Sequence, residues 1–497
     1  MAKAIMVQGT ASDAGKSLIT AALCRIFARD GYKTAPFKSQ NMALNSFITP
    51  DGFEIGRAQA VQAEAAMAVP DVRMNPVLLK PTSDSGSQVI VNGKPFRDMP
   101  AWDYYEQKLK LRPFVVDAYE SLARDYDVIV IEGAGSPAEI NLAKDDYVNM
   151  GMAKIANAPV LLVGDIDKGG VFASLYGTCA IIEPDERERI KGLIINKFRG
   201  DIEILRPGLK MIEDLCHKPV LGVIPYGNYD IEDEDSVSAR VEFAANRRSV
   251  IDIAVVRLPR ISNFTDFNPL ERIPGLTVRY VFEAKDFGKP DLLIIPGSKN
   301  TMADLQIIRQ NGLEALIKRH AANGGLVLGI CGGYQMLGTT ISDPDFAEAG
   351  GEIQGLGLLP VDTIFKGDKT TVQVTGSFEN ITGAFAPLSG TSFEGYEIHM
   401  GESVTQSPPL TRVKRGKTEI PDGAYTENIA GTYIHGLFDS AETASALAKL
   451  LADRKGVTLE NYKAIDSREY KETQYDKLAN EVREALNMDA VYKILNS

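Results

Sequence analysis

The sequence predicts an α/β protein made of two doubly wound domains with helices at the C-terminal end. In the first half, short apolar strands alternate with helical segments, starting with Ala4 to Val7 and a glycine-rich loop at residues 9–17. A second series of strands starts near Val250 and reaches the stretch GGLVLGICGGYQMLG at residues 324–338. Alternation of this kind favours parallel sheets, whose ligands bind at the carboxyl ends of the strands. We therefore expect one site at the first loop and another in the 324–338 stretch.

Length and composition exclude several classes of protein. The 497 residues are enough for two or three domains, and 44% hydrophobic with 24% charged residues indicates a folded globular protein. The net charge of −12 argues against a nucleic-acid or anionic-membrane partner. No apolar run approaches the length of a membrane span, and the start MAKAIMVQGT lacks a signal-peptide pattern. The four cysteines have no close pairs, so we expect neither disulfides nor a zinc site, and we expect a cytoplasmic location.

The order of the segments predicts where the units of the chain begin and end. The acidic stretch DIEDEDSV, residues 230–237, predicts an exposed connection between the two halves. Later in the second half, Thr370–Phe378 and Thr391–His399 alternate as antiparallel strands do. The last part is helical, including Glu469–Leu495, and indicates packing helices without a chemical role. The predicted units are residues 1–235, 250–440 and 441–497.

The segment GTASDAGKS, residues 9–17, predicts a phosphate-binding loop because it lies between a strand and a helix with an apolar face. Backbone N–H groups and the helix N-terminus would hold phosphates, Lys16 would reach the terminal ones, and Ser17 would bind Mg²⁺. The other loop residues that we expect to bind ATP are Gly9, Thr10, Asp13 and Gly15. The sequence therefore predicts ATP and Mg²⁺ as cofactors.

Two more predicted strands end in charged side chains that suit the same site. Thr34–Lys38 ends in a lysine that can neutralise the charge of a phosphate or a carboxylate. Asp127–Ile131 is a buried strand followed by Glu132. An acid at the end of a parallel strand, beside the phosphate loop, is where a Mg²⁺ ligand belongs. We therefore predict Ser17 and Glu132 as the metal ligands.

The phosphate loop is one residue longer than the usual one, and it resembles the loop of dethiobiotin synthetase and its relatives. Those enzymes use ATP to phosphorylate carboxyl or carbamate groups. The resemblance implies that Asn196, which follows the predicted strand Gly192–Ile195, lies beside the adenine. An acid that dethiobiotin synthetases use for metal binding has no counterpart here, because the corresponding segment has Arg57.

The stretch 324–338 predicts a sharp turn between a strand and a helix, with Cys331 at its apex. The apolar run Leu326–Ile330 is followed by small residues on both sides of the cysteine, and bulk there would clash. The position at a helix N-terminus favours the thiolate over the thiol. Backbone N–H groups at the turn, including that of Gly332, would face a developing oxyanion.

Two other stretches predict the partners of that nucleophile. The Pro-Gly turn in DLLIIPGSKNT, residues 291–301, can present the amide of Gly297 or Ser298 as a second oxyanion donor. Downstream, His435 ends a strand-like run in GTYIHGLFD. A thiolate that transfers acyl groups needs a nearby imidazole as base and then as acid.

These pieces together resemble the class I glutamine amidotransferases, in which a cysteine, a glutamine four residues later and a distant histidine hydrolyse glutamine. The resemblance implies that Gln335 holds the substrate glutamine. The family usually has a carboxylate two residues after the histidine, where this chain has Leu437. We therefore predict a Cys331–His435 dyad, with His435 oriented by a group that the motif does not contain.

The segments between the first strands are similar to those of the adenosylcobyric acid synthase family, the glutamine-dependent amidases of cobalamin synthesis. The similar stretches cover nearly the full chain, and QNMALNS is the most specific of them. They are KSQNMALNS (38–46), EIGRAQAVQAEAA (54–66), NPVLLKPTSD (75–84), EGAGSPAEINL (132–142), GDIDKGGVFASLYGT (164–178), NKFRGD (196–201), GYEIHMG (395–401) and TYIHGLFD (432–439).

This resemblance implies ATP- and glutamine-dependent amidation of a corrinoid polycarboxylate, at the b, d, e and g carboxylates of adenosylcobyrinic acid a,c-diamide. We expect residues 38–84 to line a broad cleft for it that faces the nucleotide. The side chains that we expect to bind it or to neutralise its charge are Lys38, Gln40, Asn41 and Lys80. Two alternatives stay open at this point: a cobyrinic acid a,c-diamide synthase, and a P-loop regulatory ATPase with a non-catalytic amidotransferase-like domain.

Overall fold

The computed structural model describes residues 2–82, 86–232, 250–348 and 350–497. The strands of the first half are β1 (Lys3–Gly9), β2 (Thr34–Phe37), β3 (Gln40–Met42), β4 (Ser46–Ile48), β5 (Glu54–Gly56), β6 (Val77–Pro81), β7 (Gly86–Val91), β8 (Lys94–Pro100), β9 (Val128–Glu132), β10 (Val160–Asp165), β11 (Ile190–Phe198) and β12 (Val220–Pro225). Its helices are α1 (Lys16–Arg29), α2 (Arg57–Ala65), α3 (Ala101–Gln107), α4 (Arg112–Asp125), α5 (Met150–Ile155), α6 (Val171–Ile181), α7 (Pro184–Arg189) and α8 (Ile202–Cys216).

The main sheet of this half is parallel and has the strand order β12-β11-β10-β1-β9-β2. Its central strands β1, β9 and β10 are mostly apolar and buried, because a parallel sheet of this kind is covered by helices on both faces. Strand β1 lies between β10 and β9, and Val7 of β1 pairs with Glu132 at the end of β9. The phosphate loop and Glu132 therefore meet at the carboxyl edge of the sheet, as the sequence predicts.

The segment between β2 and α3 builds two small sheets beside the main one. One has the order β3-β6-β7-β8, and the other is the antiparallel pair β4 and β5. Helix α2 follows β5 directly and packs against α1. Strand β4 also contacts the second half of the chain, so this inserted segment reaches from the first domain to the second.

In the second half, the strands are β13 (Ile251–Val256), β14 (Ile261–Ser262), β15 (Leu276–Val281), β16 (Leu292–Ile295), β17 (Gly297–Ser298), β18 (Leu326–Ile330), β19 (Thr340–Asp343), β20 (Gly351–Gln354), β21 (Val361–Phe378), β22 (Ser392–Thr405), β23 (Thr411–Arg415), β24 (Thr418–Asp422), β25 (Ala424–Tyr425) and β26 (Ile429–Thr432). The helices are α9 (Asn268–Glu271), α10 (Thr301–Gln310), α11 (Leu313–Ala322), α12 (Gly332–Leu337), α13 (Ala441–Lys455), α14 (Ser467–Ala485) and α15 (Met488–Leu495).

Two sheets organise this half. The first has the order β15-β13-β16-β18-β26-β25 and is parallel except for the edge strand β25. The second is built around the long antiparallel pair β21 and β22, which spans the predicted antiparallel segments. The α/β class predicted from the sequence, with two domains, is confirmed.

The C-terminal helices divide between the two domains. Helix α13 packs against β13 and β22, whereas α14 packs against α1 of the first domain. The prediction of one continuous helix over Glu469–Leu495 is wrong, because α14 ends at Ala485 and α15 starts at Met488. Between them, the backbone N–H of Asn487 donates to Leu221 O at 2.8 Å, and its side chain caps α15 by accepting from the N–H of Ala490.

The predicted connection between the halves is described only in part, since residues 233–237 of the acidic stretch lie outside the described residues. Within the described ranges, no helix combines the length and the apolar character needed to cross a membrane.

Candidate active sites

Cys331 lies at the apex of the turn between β18 and α12, as predicted. Its φ of 53° and ψ of −110° are unusual for a residue with a side chain. Such a backbone conformation costs about 1–3 kcal/mol and is typical of turns at functional sites. The neighbouring glycines are required by close backbone contacts. A Cβ on Gly333 would lie 1.9 Å from Ile295 O, and one on Gly329 would lie 2.7 Å from Gly333 O. The backbone of β18 and its neighbours therefore fixes the direction of the sulfur.

His435 follows β26 and is fully buried, close enough to Cys331 for the two side chains to interact. The Nδ1 atom lies 2.6 Å from Oδ2 of Asp266, and the other oxygen of Asp266 accepts a hydrogen bond from the N–H of Gly436. Asp266 thus supplies the carboxylate that the motif lacks at Leu437. The site is a triad and not the predicted dyad.

Asp266 changes the charge state that is expected for the histidine. Burial alone would lower the pKa of His435, but Asp266 and the Cys331 sulfur oppose this effect and raise the pKa to about 10. The imidazole beside Asp266 therefore keeps its proton more readily than a free histidine does. On one face, the Tyr396 ring stacks on the imidazole at 5.3 Å between centroids.

The predicted oxyanion and glutamine residues lie around the same turn. A Cβ on Gly297 would be 3.0 Å from Cε1 of His435, and one on Gly332 would be 2.9 Å from the backbone N of Ser298. The Gly297–Ser298 segment therefore lies against the catalytic turn and His435. Gln335 is buried, where its Oε1 accepts a hydrogen bond from Thr301 and its Nε2 donates to the Tyr433 hydroxyl.

A small pocket, partly open to solvent, lies in front of the sulfur. Its lining combines residues of the catalytic turn with charged side chains of both domains. The lining residues are Lys80, Ser262, Asn263, Ser298, Lys299, Thr301, Cys331, Gln335, Glu348, Phe365, Lys369, Ile398, His399 and Met400.

Glu348 is the acid of this pocket, and its environment is unusual. One oxygen of its carboxyl group accepts a hydrogen bond from the Met302 N–H at 3.2 Å, and the other lies 3.3 Å from the Thr301 hydroxyl oxygen. Burial raises the pKa of Glu348 to about 7. A carboxyl group in this state gains a strong partner when an ammonium group enters the pocket. The sequence motifs gave no indication of Glu348.

Lys80 lies in this pocket, and not in a cleft that faces the nucleotide. Its Nζ is 2.8 Å from Oε1 of Glu54, and Lys369 of the second domain forms an ion pair with the same carboxylate. Although burial alone would raise the pKa of Glu54, the two lysines hold it well below its usual range. The predicted position of Lys80 is therefore wrong. Strands β5 and β6 place Glu54 and Lys80 at the interface between the domains, where the negative charge of Glu54 is balanced by the two lysines.

The second site is at the phosphate loop. The Lys16 Nζ donates to the carbonyl oxygens of Ala11 and Gly135, both at 2.9 Å, and burial lowers its pKa. Ser17 Oγ donates to Oε1 of Glu132 at 2.7 Å, so the two predicted metal ligands are in contact.

Glu132 is the centre of a buried hydrogen-bond network at this site. The Lys38 Nζ is 3.1 Å from its Oε1, and the Gln62 Nε2 donates to its Oε2 at 2.6 Å. Although burial alone would raise the pKa of Glu132, Lys38 and these hydrogen bonds hold it below its usual range. Lys38 therefore lies at the nucleotide site, as predicted, whereas Gln62 was not foreseen.

The other loop residues surround the start of α1. Gly15 has a φ of 97°, and the space above it is filled by Asn196, whose Nδ2 donates to Ala14 O at 2.9 Å. The N–H of Thr10 donates to Val163 O, and a Cβ on Gly9 would be 3.0 Å from Ala11 O. Asp13 is exposed at the rim.

Two predicted substrate residues have partners inside the first domain. Gln40 Oε1 accepts hydrogen bonds from the hydroxyls of Tyr104 and Tyr147. Asn41 is buried, and its Nδ2 donates to Gln59 Oε1 of α2 at 2.8 Å. Asn41 thereby holds α2 in position.

The donors at the phosphate loop fit Mg²⁺. Ser17 and Glu132 offer hard oxygen atoms, which Mg²⁺ prefers, and it is usually bound by one or two protein ligands together with phosphates and water. Residues 2–82, 86–232, 250–348 and 350–497 contain no cluster of three or more His, Cys, Asp or Glu side chains that could hold a metal alone. The site therefore suits a metal that arrives with a nucleotide.

Comparison with known proteins agrees with these two sites. Residues 5–236 match the model of the CobQ/CobB/MinD/ParA nucleotide binding domain, and residues 252–443 match that of the CobB/CobQ-like glutamine amidotransferase domain. Among solved structures, PurLQS from Thermotoga maritima is 18% identical, with a TM-score of 0.29, over 47% of this chain and 99% of that one.

Curated relatives match the full length of the chain. Cobyric acid synthase of Ruminiclostridium cellulolyticum is 57% identical over 100% of this chain and 97% of its own length. Cobyric acid synthase of Listeria monocytogenes is 52% identical over the same shares. The family predicted from the sequence is confirmed: the chain belongs to the cobyric acid synthase family and is a glutamine-dependent amidating ligase.

Proposed function

We propose that this chain uses ATP and glutamine to amidate the b, d, e and g carboxylates of adenosylcobyrinic acid a,c-diamide, which gives adenosylcobyric acid. The observation that carries the proposal is the presence, in one chain, of a Cys331–His435–Asp266 triad and a phosphate loop with Lys16. The full-length identity to cobyric acid synthases supports the corrinoid substrate. We expect the enzyme in the cytoplasm.

The first reaction is the release of ammonia from glutamine. The Cys331 thiolate attacks the carboxamide carbon, and the negative charge moves to the oxygen, which the N–H groups of Gly332 and Ser298 or Gly297 would stabilise. His435 then gives its proton to the leaving nitrogen, and ammonia departs from the thioester. A water molecule, deprotonated by His435, attacks the thioester and releases glutamate and the thiolate.

The second reaction makes the corrinoid carboxylate reactive. Its oxygen is a poor leaving group, so transfer of the ATP γ-phosphoryl group to it creates a phosphate that can leave. Ammonia attacks the acyl carbon, phosphate departs with the electrons of the C–O bond, and the proton that the nitrogen loses passes to the phosphate. Lys16 and Lys38 would balance the phosphate charge, and Mg²⁺, held by Ser17 and Glu132, would screen the phosphate oxygens.

The triad geometry counts against a regulatory ATPase with a non-catalytic amidotransferase-like domain. A binding domain has no need for a buried histidine held 2.6 Å from a carboxylate and beside a strained cysteine. The other alternative, a cobyrinic acid a,c-diamide synthase, differs from the proposed enzyme only in its substrate. The two functions are therefore distinguished by the products that the enzyme forms.

Mass spectrometry of the products tests the proposal. The purified enzyme is given ATP, magnesium, glutamine and adenosylcobyrinic acid a,c-diamide. Each amidation replaces OH by NH₂ and lowers the mass by one unit, so we expect a series that ends after four steps. A chain that leaves this diamide unchanged, but amidates the a and c carboxylates of cobyrinic acid, would contradict the proposal.

A further inference from the structure

A residue of the first domain contacts the ring that stacks on His435. Arg57, at the start of α2, donates from Nη2 to the Tyr396 hydroxyl at 2.8 Å. The Tyr396 ring is nearly parallel to the His435 ring, at 18°. The backbones of Tyr396 and His435 also exchange two N–H···O hydrogen bonds, at 3.1 and 2.9 Å. Arg57 therefore holds the Tyr396 ring, which stacks on the catalytic imidazole of His435.

A second contact from the first domain reaches the other side of the imidazole. The backbone N–H of Ser46 donates to Oδ1 of Asn263 at 3.0 Å. The Nδ2 of Asn263 lies 3.4 Å from Nε2 of His435, and Asn263 precedes the turn that carries Asp266. Two independent contacts thus link the first domain to the surroundings of His435.

The other end of α2 lies at the nucleotide site. Gln62, five residues after Arg57, donates to Glu132 Oε2 at 2.6 Å and contacts Ser17 O at 3.4 Å. Arg57 and Gln62 lie on the same helix of nine residues, which rises by about 1.5 Å per residue. A displacement of this helix at Gln62 would therefore also displace Arg57.

A cluster of buried charges also surrounds Arg57. Its Nη1 is 3.5 Å from Oε2 of Glu232, and Glu232 forms an ion pair with Lys471 of α14 at 2.9 Å. Asp439 lies close enough to interact with both Arg57 and Asp266. The cluster joins the first domain, the connection, the second domain and a C-terminal helix. Helix α14 is therefore more than the packing element that the sequence indicated.

We propose that Arg57 is a positioning residue for the glutaminase reaction, and that α2 couples the nucleotide site to His435 through Arg57 and Tyr396. The inference depends on glutamine hydrolysis at Cys331, which is part of the proposed function. Without Arg57, the Tyr396 hydroxyl loses its partner and the ring no longer holds the imidazole in one orientation. Proton transfer suffers, whereas the contacts that bind glutamine stay intact.

The first test compares Arg57→Met and Tyr396→Phe in the full-length chain, with glutaminase kcat and KM measured separately. We expect kcat to fall about ten- to a hundredfold, with KM nearly unchanged, because small misplacements of catalytic groups have effects of this size. The double variant should be no slower than the slower single variant, since both remove the same hydrogen bond. Additive losses, or an unchanged kcat, would overturn the proposal.

Arg25→Met is the matched control. Arg25 is also a buried arginine, which forms ion pairs with Glu472 and Asp476 of α14 and does not line the Cys331 pocket. We expect it to lower the melting temperature but to keep the glutaminase kcat. If Arg57→Met changes only the melting temperature, as Arg25→Met does, Arg57 is a structural residue and the proposal is wrong.

The coupling is tested by the rate at which iodoacetamide alkylates Cys331, followed by peptide mass spectrometry at fixed pH. Magnesium and a non-hydrolysable ATP analogue should change this rate in the wild type by about fivefold or more. The change should be absent in Arg57→Met. An equal change in both proteins, or none in the wild type, would overturn the coupling. This readout needs no glutamine, so a wild type that lacks glutaminase activity would contradict the proposed function separately.

Discussion

Asp266 is the residue that completes the candidate glutaminase site. It lies 169 positions before His435 and holds Nδ1 of the imidazole at 2.6 Å. In a serine protease, losing the corresponding carboxylate costs about 10⁴ in turnover, and a cysteine nucleophile should need it less. The Asp266 carboxylate also stabilises the protonated form of the His435 imidazole.

The variant Asp266→Asn should therefore change the pH dependence as well as the rate. In the wild type, the raised pKa of His435, about 10, keeps the proton that leaving ammonia needs until the pH rises through that value. Without Asp266 this pKa falls, so the alkaline limb of kcat should move to lower pH. The pH profile of glutamine hydrolysis measures this shift, and Asp252→Asn, which breaks a partly exposed ion pair with Arg279, is the control. An alkaline limb at the same pH in Asp266→Asn would contradict the role assigned to Asp266.

Glu348 provides a second prediction at this scale, because it is the acid of the pocket that holds Cys331. We expect it to bind the α-ammonium group of glutamine, so Glu348→Gln should raise KM about tenfold or more and change kcat little. The comparison substrate is 4-carbamoylbutyrate, which lacks the amino group. Wild type and variant should hydrolyse it equally well, and a KM for glutamine that is unchanged in the variant would rule out the contact.

The site residues that could be predicted from the sequence are those that lie in short, recognisable motifs. Cys331, Gln335 and Lys16 lie in short motifs whose spacing carries chemical information. Asp266 and Glu348 act only through tertiary contacts, and neither lies at a motif position. The strongest available signal for Asp266 was its place in a turn after an apolar strand, which is shared by many structural acids.

At the level of elements, the turn between β18 and α12 leaves little space for larger side chains. Gly333→Ala would place a Cβ 1.9 Å from Ile295 O, which is backbone and cannot move away easily. Overpacking of this kind costs about 1–3 kcal/mol, so we expect a melting temperature lower by roughly 5 °C and a large loss of glutaminase activity. Gly177→Ala in α6 is the control, because its Cβ would meet nothing within 4 Å. Equal melting temperatures and activities for both variants would show that the turn tolerates bulk.

The alternation of strands and helices predicted most elements, because buried parallel strands are apolar throughout and short. The prediction was wrong at a position where a side-chain cap ends one helix and starts the next. The break after Ala485 arises from the cap at Asn487 and from the pairing of its backbone with Leu221. Neither feature changes the helical periodicity of the segment.

At the scale of the whole molecule, the two sites are joined more closely than the sequence suggests. The inserted segment carries Lys80 and Glu54 to the Cys331 pocket, and α2 touches the surroundings of both Glu132 and His435. Motif order predicted two domains and their likeness to known families. It could not predict which face of one domain packs on the other, since that depends on charges far apart in the chain.

The most direct measurement of the central claim traces the nitrogen in the amidated corrinoid. Wild type given ATP, the diamide and glutamine labelled with ¹⁵N at the amide should form labelled product. Cys331→Ala should form none from glutamine, yet it should form product from ¹⁵N-ammonium chloride, whereas Lys16→Ala should form none from either source. Labelled product from glutamine in Cys331→Ala, or no product from ammonium in that variant, would contradict the division of the chemistry between the two sites.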